Sequence, residues 1–107
     1  MIVIDRKKSK SEWVQYDEEV SFLIRPFPIS EKTLSPSGLN IYEVLFKRAM
    51  YCLQDWKGIV DVNGNEVKCD PDNKKFILDY SEEIINFVCE KSSELGNKIV
   101  NMPVKKT

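Results

Sequence analysis

Behind Asn40, the residues Tyr42, Leu45, Phe46, Ala49, Met50 and Leu53 recur at i, i+3, i+4, i+7, i+8 and i+11. Apolar side chains at that spacing share one face of a helix, and the face must be covered by another element. Asn40 is a good N-cap, Glu43 stands where a capping box places its acid, and Leu39 lies at staple spacing from Val44. The spacing predicts a helix over about 41–54. This element commits the chain to a fold in which a sheet or further helices bury the stripe.

Upstream, Trp13-Val14-Gln15-Tyr16 and Val20-Ser21-Phe22-Leu23-Ile24 flank Asp17-Glu18-Glu19. Such β-rich runs around an acidic turn read as a hairpin over about 13–24, with Val20, Phe22 and Ile24 on one face. Pro26 and Pro28 end it, because proline cannot donate to a ladder. Met1 to Ile4 reads either as an edge strand or as a frayed end, and Ser30 to Ser37 either as one helical turn or as loop.

Downstream, Ile59, Val60 and Val62 precede Asn63-Gly64, a dipeptide suited to positive φ, and Val67 follows it. A second hairpin over about 58–68 is expected, with Gly58 as a permissive backbone position and Trp56 as a buried anchor. Asp70-Pro71 restarts a short helical turn through Phe76-Ile77-Leu78. Ser81 caps a longer helix over about 82–95, carrying Ile84, Ile85, Phe87, Val88 and Leu95, and Gly96 suits its C-terminal end. The expected fold is therefore α+β. A small antiparallel sheet, from the hairpins at about 13–24 and 58–68, packs on two main helices at about 41–54 and 82–95. One domain spans 1–107, with 1–11 and 97–107 as flexible ends.

Sixteen basic and seventeen acidic residues leave a formal net charge of -1. Nucleic-acid binders carry a basic excess or stripe, so nucleic acid is not the expected partner. The clusters Arg6-Lys7-Lys8-Ser9-Lys10 and Lys105-Lys106 read as solvated termini. With no histidine, the commonest general base and the Cys/His zinc patterns are absent, and the four glycines fit no phosphate loop. No catalytic residue, metal ligand or cofactor is expected. Asp61-x-Asn63-x-Asn65 begins like a calcium loop, but position 6 is Glu66 where glycine is required, and an Asn-Gly turn explains the same residues. Cys52, Cys69 and Cys89 read as reduced thiols, the first and last as small buried hydrophobes. No apolar run has the length of a membrane span and no signal peptide is visible, so a soluble intracellular protein is expected.

The order of these features resembles small bacteriophage tail-region proteins of the tail assembly chaperone type. Trp13 to Tyr16 and Val20 to Pro26 look like that family's opening hairpin, and Asp55-Trp56-Lys57-Gly58-Ile59-Val60-Asp61 with Gly64 looks like its central W-x-G-(I/V)-x-D-x-x-G segment. Asp70-Pro71-Asp72-Asn73 matches its helical restart. Lys68 and Cys69 stand where that family has apolar residues, and its acidic tails are missing. The resemblance implies a non-enzymatic phage or prophage protein whose partner is another phage protein, the tape-measure protein first among them, kept soluble until tail-tube subunits polymerise around it. It implies a partner-binding face drawn from Tyr42, Phe46, Met50 and Trp56, or else from the last helix, since an amphipathic partner helix needs an apolar groove. Two other readings stand beside it: a structural subunit of the head–tail or tail-terminator region, and a small regulatory domain binding nucleic acid through Arg6, Lys7, Lys8 and Lys10.

Overall fold

The strand that the rest of the fold is built on is β3, Ser21–Ile24, whose Phe22 and Ile24 are fully buried while Ser21 and Leu23 face the other way. In the computed structural model, which describes residues 2–28 and 40–101, β3 is the middle of a three-stranded antiparallel sheet. On one side lies β2, Glu12–Gln15, in a register that sets Val14 against Phe22 and Trp13 against Leu23. The Asp17 carboxylate closes the turn between them by accepting from the backbone N–H groups of Glu19 and Val20. On the other side lies β4, Leu53–Lys57, with Trp56 opposite Phe22 and Leu53 opposite Ile24.

Three helices lie among the described residues: α1, Ile41–Cys52; α2, Pro71–Tyr80; and α3, Glu82–Asn97. Each begins at a side-chain cap read from the sequence, Asn40, Asp70 and Ser81, whose oxygens accept from the N–H groups of Glu43, Asn73 and Ile84. Helices and sheet enclose one core, in which Phe22, Ile24, Leu53 and Trp56 of the sheet meet Ala49 and Cys52 of α1, Leu78 of α2, and Val88, Cys89 and Leu95 of α3. Arg48 ties α1 to α3 through hydrogen bonds to the hydroxyls of Ser92 (3.2 Å) and Ser93 (2.7 Å). Tyr16, Phe22 and Phe87 form an aromatic cluster between sheet and α3, with Tyr16 and Phe87 edge to face at 4.9 Å. No helix among the described residues is long and apolar enough to cross a membrane.

This arrangement corrects the expectation of two main helices. Pro71–Tyr80 is a third helix of ten residues, not a short turn. Only Leu78 of it is buried, so the sequence shows too little apolar periodicity to announce its length. The sheet is corrected too. Its third strand is Leu53–Lys57, and the expected hairpin over 58–68 is reduced to a single bridge between Val60 and Glu66. The expected helix to residue 54 ends at Cys52, and Leu53 is already extended although it keeps helical spacing with Ala49. A β-bulge makes this work. Leu23 pairs with Asp55 and Ile24 with Leu53, so Gln54 is an extra residue, and both Leu53 and Trp56 point inward although they are three apart.

The abrupt exit from α1 leaves its last carbonyls to be satisfied from elsewhere. The Arg25 backbone N–H donates to the Cys52 carbonyl (2.9 Å), the Arg25 Nε to that of Tyr51 (2.9 Å), and the Lys74 Nζ to that of Leu53 (2.9 Å). Two cations thus sit at the negative end of a helix whose own last turn carries none. The Arg25 guanidinium also stacks on the Tyr51 ring, 3.6 Å from its centroid.

Within the end segments, β1 (Val3–Ile4) pairs antiparallel with β5 (Val100–Asn101), and Arg6–Ser9 forms a 3-10 turn capped by Asp5. The basic residues of this turn are exposed. The stretch from Ser30 to Ser37, left open between turn and loop, lies outside the described residues.

Candidate partner-binding groove

Ser81 alone separates α2 from α3, serving as the last helix's N-cap, so the two helices meet at a corner. α1 packs most tightly through Ala49 and Cys52 near its C-terminal end, while residues 41–44 at its start are all exposed. A groove is therefore left between the start of α1, the end of α2 and the start of α3. Its volume is about 510 Å³, and Tyr42, Phe46, Leu78 and Ile85 supply its apolar lining. Glu43, Lys47, Asp79 and Glu82 stand around it.

Of the residues expected to form a binding face, Tyr42 and Phe46 lie in this groove, one helical turn apart on α1. The Tyr42 side chain is 62% exposed and the Phe46 ring is half-buried. Met50, a further turn along, is half-buried and packs against the core. Trp56 is elsewhere: it is 6% exposed in the core, and its indole N–H donates to the Val67 carbonyl at 2.6 Å. Leu78 and Ile85 complete the groove. The sequence places Leu78 in a short helical turn and Ile85 on the last helix, but only the corner at Ser81 shows that they face the start of α1.

The loop that begins like a calcium site spends its carboxylate on its own backbone. Asp61 Oδ1 accepts from the N–H groups of Asn63 (2.9 Å) and Asn65 (3.0 Å), and these bonds hold the carboxyl below its ordinary range. No cluster of metal-ligating side chains occurs among the described residues. Burial pushes the Cys52 thiol up, and the Cys69 and Cys89 thiols up to about 11. These are not activated nucleophiles.

The fold and groove define a small α+β protein with an open helical surface. Residues 42–100 match the family model of the YdaY prophage protein, more than half of the chain, and the chain belongs to that prophage family. The matched segment contains Tyr42, Phe46, Leu78 and Ile85 but not the β2–β3 hairpin. No curated protein and no solved structure matches the chain.

Proposed function

We propose that this prophage protein is non-enzymatic and acts in the cytoplasm of the bacterial host by holding a helical segment of another phage protein, with the tape-measure protein as the first candidate. The observation that carries the reading is the open groove between α1, α2 and α3. Its apolar lining runs outward from the core, from buried Leu78 through half-buried Phe46 and Ile85 to the exposed ring of Tyr42. A groove of this kind suits the apolar face of an amphipathic helix, read as anchors at i, i+3, i+4 and i+7. Family membership supports the phage setting, and the resemblance of the central segment to tail assembly chaperones supports the tail-assembly role.

The test is co-expression with fragments of the tape-measure protein of the same prophage. The reading expects a fragment that is insoluble alone to become soluble and co-purify, and to lose both properties with Tyr42→Asp. Fragments no more soluble with the protein than without it contradict the tape-measure assignment.

A further inference from the structure

The groove's surroundings are more acidic than its lining requires. Among the described residues that line it, Glu43, Asp79 and Glu82 stand against the single cation Lys47. Glu43 and Glu82 lie in the first turns of α1 and α3, where they offset the positive helix ends. That accounts for part of their charge, because a helix terminus carries only about half a unit. Asp79 has the opposite setting. It lies in the last turn of α2, where the helix end is itself negative and no basic residue is present in that turn. Its ion pair with Lys75, at 2.8 Å, is exposed on both sides and screened by solvent. Neither Glu43 nor Glu82 forms an ion pair among the described residues. The apolar lining is thus bordered by net negative charge.

Building on the groove reading above, we infer that the occupant is an amphipathic helix whose apolar stripe is flanked by lysines or arginines. Tyr42, Phe46 and Ile85 take the stripe, and Glu43, Asp79 and Glu82 select the sign of its flanks. An acidic-flanked helix of the same apolar face is rejected by like charge.

Two synthetic helical peptides with one identical leucine-rich stripe, flanked by lysine in one and glutamate in the other, separate the claims by fluorescence anisotropy. The lysine peptide is expected to bind at least tenfold tighter at low salt, with the advantage shrinking as salt rises. The double variant E43K/E82K is expected to reverse the preference, and Tyr42→Ser, which removes the ring without changing charge, to weaken the lysine peptide, each variant keeping the wild-type circular dichroism spectrum. Equal binding of both peptides, lost in Tyr42→Ser, overturns the charge inference and leaves the groove in place. Binding that survives Tyr42→Ser, or no binding of either peptide, overturns both.

Discussion

Trp56 and Val67 are joined across the central loop: the indole N–H of the first donates to the carbonyl of the second at 2.6 Å. This bond fastens the irregular segment after β4 to the core, where ladder pairing is limited to the Val60–Glu66 bridge. Trp56→Ala removes both ring and bond and is expected to cost about 3–5 kcal/mol. Trp56→Phe keeps most of the packing and loses the donor, so a smaller loss of about 1–2 kcal/mol is expected. Urea denaturation measures both. A loss below about 1 kcal/mol for the alanine variant contradicts the anchor.

Two glycines with nearly the same backbone separate crowding from strain. Gly58 has φ of 88° and Gly64 of 83°. A Cβ at Gly58 would lie 2.0 Å from the Glu19 carbonyl oxygen, whereas at Gly64 it would meet nothing within 4 Å. Gly64→Ala is expected to cost about 1 kcal/mol from positive φ alone. Gly58→Ala must also push the β2–β3 turn away and is expected to lower the melting temperature considerably more. Equal shifts for the two variants contradict this.

Arg25 serves the end of α1 with its backbone, its Nε and its guanidinium face. Arg25→Ala is expected to cost about 1–2 kcal/mol, from the charged hydrogen bond and the stacking. Arg25→Lys should recover little, because an ammonium lacks the flat face that lies on Tyr51. Chemical denaturation of the three proteins checks the order, and full rescue by lysine contradicts the stacking.

Cys69 carries a pH signature. Burial raises its thiol from the ordinary 9.0 to about 11, so the folded chain holds this proton where the unfolded chain releases it. The resulting stability is fully present below pH 9 and is lost as pH rises toward about 11. Wild type is therefore expected to lose more stability across that window than Cys69→Ala. Parallel pH profiles contradict this.

The elements legible in the sequence are those whose signals are local. Asn40, Asp70 and Ser81 marked three helix starts, and the alternation of Phe22 and Ile24 marked the central strand. Leu53 misled because it keeps helical spacing with Ala49 while standing in β4, where the Gln54 bulge turns it inward. The length of α2 was hidden because its outward face includes Phe76 and Tyr80, 65% and 80% exposed, while Leu78 alone is buried. The β1–β5 ribbon has two residues per strand, too few for any periodicity. Half of the groove was visible through Tyr42 and Phe46. The other half depends on how two helices turn at Ser81, a tertiary relationship with no local signature.

The central claim is that a partner helix seats between α1, α2 and α3, and amide chemical-shift mapping during titration with a solubilised tape-measure fragment tests it most directly. Shifts concentrated at residues 42–47 and 78–85, with the Trp56 indole signal unmoved, are the expected result. Shifts centred on the sheet or on the Arg6–Ser9 turn, or none at saturating fragment, would contradict it.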